Sequence, residues 1–144
     1  QYRALSTGVL GIDFSVPIGR GQTMLFQGTD RAKDLQHLWP DLLAARVGPN
    51  ATAGPELCVC VCSTLEEAEK LRGQLEERGV WEHCVIVVPS SSDPGAGMMA
   101  LNAAVAIAEH ACEKEGEAMV LMDLEPMHRV WNILASAAGE ERRA

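Results

Sequence analysis

The sequence predicts an α/β fold: a mostly parallel, four-stranded sheet with helices on both faces. Two observations carry that expectation. The first is a set of short, continuous apolar runs: "TMLFQG" (23–28), "ELCVCVC" (56–62), "HCVIVVP" (83–89) and "EAMVLMD" (117–123). Uninterrupted and partly β-branched runs of this length read as strands buried on both faces. The second is the helical pattern between them, with start and stop signals at the expected places. The resulting βαβαβαβα order favours parallel strands joined by crossover helices.

Each element follows from its residues. The first run ends at Gly28, and the chain from about Asp30 to Val47 is helical, with Pro40 expected to kink or split it. "GPNATAGP" (48–55) reads as a surface loop. "STLEEAEKLRGQLEERG" opens with a Ser63–Glu66 capping box and ends at Gly79, with Leu65, Ala68, Leu71 and Leu75 as its apolar stripe. "SDPGAGMMALNAAVAIAEHACEKEG" has Asp93 as N-cap, Pro94 at the first helical position and Gly116 past its end. Its expected stripe is Met98, Leu101, Val105, Ala108 and Cys112. A last helix runs from about Pro126 to Ala138, and the tail "GEERRA" is expected to fray.

Bulk properties narrow the function classes. With 144 residues, 47% hydrophobic and 22% charged, the chain reads as one globular domain large enough for a core. A net charge of −8 argues against a nucleic-acid groove or an anionic membrane surface, both of which need clustered Lys and Arg. No apolar run approaches the roughly 18 residues of a spanning helix, so direct membrane insertion is not expected, and no signal-peptide pattern is visible at the start. Cys58, Cys60 and Cys62 alternate along one strand, about 6.5–7 Å apart on one face. That suits neither a disulfide between neighbours nor tetrahedral zinc, and the thiols read as small core filler. An odd number of thiols, five, suggests a reducing compartment.

The order of landmarks is specific. "LSTGVLGIDFSVPIGRGQ" precedes Gly28, "SSSDPGAG" follows the third strand, and "AMVLMDL" ends the fourth strand at Asp123, as a Walker B strand does. Together these resemble the nucleotide-binding domain of the rotary F-type ATP synthase α subunit, a P-loop NTPase of RecA-like fold. The hexameric terminator Rho shares part of the approach to Gly28, but the "SDP" element favours the synthase and the charge opposes an RNA-binding reading. The resemblance covers nearly all of residues 1–144 but only about the first half of the family's nucleotide domain. The chain therefore reads as a single truncated α-like domain. The family's N-terminal barrel, C-terminal helical domain, adenine pocket and arginine finger have no counterpart in it.

The resemblance breaks at the phosphate loop. In G-x-x-x-x-G-K-[ST], backbone N–H groups and a helix N-terminus hold the phosphates, the Lys meets the β/γ-phosphates and the hydroxyl holds Mg²⁺. Here the chain reads Gly28, Thr29, Asp30, Arg31, Ala32, Lys33, Asp34, Leu35. Alignment from Gly28 puts Lys33 at the second Gly, Asp34 at the Lys and Leu35 at the Ser/Thr. A loop one residue shorter puts Ala32 at the Gly, Lys33 at the Lys and Asp34 at the hydroxyl. Neither frame restores the set. A carboxylate about 4 Å from one phosphate charge, at an effective dielectric near 20, means about 4 kcal/mol of repulsion where attraction is needed. Thr29, Asp30 and Asp34 read instead as internal ligands for the helix N-terminus. The segment G-[QE]-[KR] that the family carries after its second strand is also missing. Glu66 and Glu67 read as solvent-facing charges of a capped helix start. Asp123 persists, but without a Ser/Thr partner it holds magnesium poorly.

The expectation is therefore a degenerate P-loop domain with no catalytic residue, no metal and no cofactor, which acts by binding protein. Gly28–Leu35 and Asp123 form its vestigial nucleotide site. The resemblance implies the ATP synthase β subunit, or an assembly intermediate containing it, as partner, and a chloroplast or mitochondrial interior as location. The alternative is weak binding or hydrolysis of Mg-ATP rescued by Lys33. A further reading is a structural module of a larger organellar complex. Other candidates weigh less: His110 with Glu109 and Glu113 reads as surface, and Arg20 as part of a turn. Trp39, Trp81 and Trp131 are each either partly buried core or an interface anchor. In the family a further strand lies between the Walker B and P-loop strands. Here those two are expected to pair directly, the alternative being a gap filled by other protein.

Overall fold

The computed structural model describes residues 4–27, 37–47 and 57–141. A short antiparallel pair, β1 (Ala4–Leu5) and β2 (Ile18–Gly19), flanks helix α1 (Leu10–Ser15). Then come α2 (Trp39–Val47), β3 (Leu57–Val61), α3 (Leu65–Glu77), a 3-10 turn (Trp81–His83) and β4 (Cys84–Val87). The chain continues through α4 (Pro94–Glu115), β5 (Ala118–Met122) and α5 (Glu125–Glu141). The main sheet is parallel, in the order β4-β3-β5.

Two cores lie on opposite faces of β3. Cys58, Cys60 and Cys62 point to one, where Leu43 and Val47 of α2 and Ala68, Leu71 and Leu75 of α3 close over them. Val59 and Val61 point to the other, under Ala100, Leu101, Ala104 and Ala108 of α4. Period-two alternation along a strand buried on both faces produces this division. Cys58 and Cys60 of β3 and Cys62 just after it are fully buried, as small filler. The α/β fold with helices on both faces is thus as expected.

The fourth strand is not. Among the described residues the parallel sheet has three strands, and residues 23–27 form none. An apolar run becomes a strand only through ladder hydrogen bonds. Met24 and Phe26 instead share the lining of a cavity of about 100 Å³ with Met119, Val120 and Leu121 of β5. Leu25 is 70% exposed, so the run is not buried on both faces. The expected direct pairing of the P-loop and Walker B strands is therefore absent among the described residues.

Local corrections follow from packing. Two overlapping boxes are available in "STLEE", and the structure uses the later one. Thr64 Oγ1 accepts from Glu67 N–H at 3.2 Å, and Glu67 Oε2 accepts from Ser63 N–H at 3.0 Å. Leu65 consequently faces out, at 65% exposure. Helix α4 buries Gly97, Ala100, Leu101, Ala104, Ala108 and Ala111, a face rotated by about one residue from the expected stripe, and Cys112 is exposed. Small residues win that face because they let helix and sheet approach closely. Residues 37 and 38 are π-helical, and the α-helix α2 starts at Trp39, one residue before Pro40; the earlier part of the expected helix, from Asp30, lies outside the described residues. The last helix continues through Glu141 rather than fraying at Gly139.

Candidate functional site

Three strands ending side by side leave a crevice at their carboxyl edge, the usual ligand position in open α/β sheets. Its volume is about 260 Å³. Ser63 and Thr64 follow β3, Ser91 to Pro94 follow β4, and Asp123 to Pro126 follow β5. Helices α3, α4 and α5 all begin here, so three positive dipole ends converge on it.

The protein answers those dipoles with its own side chains. At α3, Thr64 and Glu67 form the reciprocal cap described above. At α4, Asp93 Oδ1 accepts from Gly95 N–H at 3.2 Å. At α5, Asp123 Oδ1 accepts from Glu125 N–H at 3.1 Å. Arg129 Nε donates to Glu125 Oε1 at 2.9 Å. The charged groups among the described lining residues are Glu67, Asp93, Asp123, Glu125 and Arg129, so the field is negative. The side chains lining the crevice thus carry more negative than positive charge, which suits hydrogen-bond donors and cations. The floor is tight: a Cβ at Gly97 would lie 2.5 Å from Pro126 Cβ.

A second polar cluster organises the amino-terminal segment. Asp13 Oδ1 accepts from the Thr7 N–H at 2.8 Å and the Thr7 hydroxyl at 2.7 Å. Its Oδ2 accepts from Gly8 N–H at 3.2 Å and from the Ser6 hydroxyl at 3.3 Å. Desolvation pushes the Asp13 carboxyl up, but the Thr7, Gly8 and Ser6 donors outweigh it and hold the group below its usual range. Gly8 adopts φ +72°, and a Cβ there would sit 2.3 Å from Ala45 Cβ. The "TGVLGID" motif is therefore a closed Asp-centred loop docked on α2. Arg20 ion-pairs with Glu117, the residue before β5, and Arg46, almost fully buried, lies 3.9 Å from the same carboxylate.

Of the sequence-predicted site residues, Asp123 lies in the crevice. Gly28, Thr29, Asp30, Arg31, Ala32, Lys33, Asp34 and Leu35 lie outside the described residues, as does the loop 48–55. Glu66 is a surface charge as expected, paired with Lys70 at 2.6 Å. Glu67 is not: it is half-buried in the crevice wall. Arg129 is likewise hidden in the sequence, because its i−4 partner Glu125 reads as ordinary helix-surface pairing. The signal for both was position, one turn after a strand's carboxyl end. Trp39 and Trp81 pack partly buried against the core, with the Arg72 guanidinium 5.1 Å from the Trp81 ring, whereas Trp131 is exposed. His110 is on the exposed side of α4.

Comparison with known proteins places this geometry. The family model described as "ATP synthase alpha/beta family, nucleotide-binding domain" matches residues 8–135. The chain is 32% identical over 123 residues to ATP synthase subunit alpha 1 of Marinomonas sp., covering 83% of the chain and 23% of that relative. It is 34% identical over 122 residues to ATP synthase subunit alpha 2 of Polaromonas naphthalenivorans, covering 83% of the chain and 22% of the relative. The chain thus spans less than a quarter of the length of these relatives. The match runs from the Asp13 loop through the parallel sheet and the three-helix crevice into α5, and with it the chain belongs to the ATP synthase alpha/beta family through its nucleotide-binding domain.

Proposed function

We propose that this α-like domain is catalytically inactive and acts by binding protein, in the assembly or regulation of an ATP synthase or another organellar complex. The observation that carries this reading is the contrast between framework and loop. The Asp13-centred entry, the parallel sheet and Asp123 persist, while residues 28–35 lack the Gly, Lys and Ser/Thr set. The acidic crevice, whose helix ends are already capped by the chain's own oxygens, supports the same reading. The partner proposed is the ATP synthase β subunit or an intermediate containing it, in a chloroplast stroma or mitochondrial matrix. Among the described residues no helix is long and apolar enough to cross a membrane.

Two measurements test the proposal. Calorimetric titration with Mg-ATP is expected to give no saturable heat up to millimolar nucleotide. Gel filtration with purified β subunit is expected to give a complex at ~10 µM, a range ordinary for a transient interface. Saturable Mg-ATP binding that Lys33→Ala abolishes would favour the altered-loop ATP-binding reading instead. Absence of any complex at tens of micromolar would remove the protein-binding reading.

A further inference from the structure

We propose that Cys58 and Cys84 are a latent cross-strand disulfide, a reversible oxidation site that pins the edge strand β4 to β3. Strands β3 and β4 are parallel with Cys58 directly opposite Cys84. Neighbouring strands lie about 4.8 Å apart, inside the roughly 4.4–6.8 Å Cα separation that a disulfide spans. The sulfurs already interact: the Cys58 thiol hydrogen-bonds to Cys84, and Cys84 Sγ donates to Val80 O at 3.4 Å. Along β3 and the residue after it, by contrast, Cys58, Cys60 and Cys62 are spaced about 6.5–7 Å apart along one face, at or beyond the outer limit for bridging.

Access selects the same pair. Cys84 is 8% exposed, whereas Cys58, Cys60 and Cys62 are 0% exposed. The hydrogen bond from Cys58 draws the Cys84 thiol below its ordinary value despite its burial. Burial, with Cys84 and Cys62 alongside, pushes Cys60 well up and keeps it a thiol. Cys84, the least buried of the four, is therefore the sulfur assigned to meet a peroxide first. Its thiolate attacks one peroxide oxygen, the O–O bond breaks, and water leaves behind a Cys84 sulfenic acid. The Cys58 sulfur then displaces the hydroxyl, which departs as water with the Cys58 proton, and the S–S bond forms. Two thiols are oxidised and one peroxide is reduced to two waters. A dithiol reverses the step by exchange. The bridge lies at the amino ends of β3 and β4, so the crevice at their carboxyl ends stays open.

The test uses Cys112→Ser protein, which removes the exposed thiol and its intermolecular chemistry. Folded protein is treated with hydrogen peroxide, alkylated, digested without reductant and mapped by mass spectrometry. The expected result is a Cys58–Cys84 linked peptide, loss of two of the four remaining thiols, and their recovery with dithiothreitol. Adding Cys84→Ser should leave Cys58 fully alkylated. The map of the Cys112→Ser protein decides the matter even if that second variant fails to fold. A sulfinic acid at Cys84 beside a free Cys58 thiol, or a link within β3, would overturn the proposal.

Discussion

The close approach of α4 and α5 at the crevice floor yields a prediction in which two glycines of the same chain move stability in opposite directions. Gly97 is buried in α4, and an added Cβ would meet Pro126 Cβ at 2.5 Å and Cγ at 3.0 Å. A proline ring has no flexible end to swing aside, so the two helices must separate. Overpacking of this kind costs about 1–3 kcal/mol. The gain from replacing helical Gly by Ala is at most about 1 kcal/mol, and less in a first turn. Gly97→Ala should therefore destabilise by about 1 kcal/mol. At Gly73, within α3, an added Cβ would meet nothing within 4 Å. Gly73→Ala should stabilise by about 0.5–1 kcal/mol. A gap near 2 kcal/mol corresponds to roughly 4–8 °C between the two variants' Tm values. Urea unfolding followed by circular dichroism reads the same difference at 25 °C. If Gly97→Ala proved as stable as Gly73→Ala, the α4–α5 contact would not be as close as described.

Three further perturbations probe the rest of the framework. Gly8→Ala forces a side chain into φ +72° and against Ala45, so a loss of about 2–4 kcal/mol is expected in urea unfolding. Asp13 has a depressed folded-state pKa, so its stabilisation is present above the unfolded value near 3.8 and disappears as pH falls through the lower folded one. Asp13→Asn should accordingly flatten the acid limb of the stability curve below about pH 4, and an unchanged limb would mean that the Thr7–Asp13 contacts are not ionic. Thr64→Ala should cost about 1 kcal/mol and Ser63→Ala much less, because Thr64 is the N-cap of α3; equal losses would return the cap to Ser63.

The crossover architecture was legible because each signal is local. Continuous apolar runs marked β3, β4 and β5, and Asp93, Pro94, Gly79 and Gly116 marked helix ends through φ preference and capping chemistry. The same locality explains the misses. "TMLFQG" is as apolar as its neighbours, yet a ladder needs a partner strand within reach, and no local property states where β5 stops and residues 23–27 lie. "STLEE" holds two legal capping boxes, and only the burial of Leu71 and Leu75 selects the one that turns Leu65 outward. The alanine-rich α4 has apolar residues on several faces, so its buried stripe is chosen by how closely it settles on Val59 and Val61.

By itself the sequence determined the fold class, the family resemblance and the departure of residues 28–35 from G-x-x-x-x-G-K-[ST], because these depend on residue type and order along the chain. Tertiary structure alone decided that Glu67, Asp93, Asp123 and Arg129 share one crevice, and that Cys84 stands beside Cys58. Those meetings depend on which strands become neighbours and in what register, and register is set by three-dimensional burial on both faces of the sheet rather than by any stretch of chain read alone.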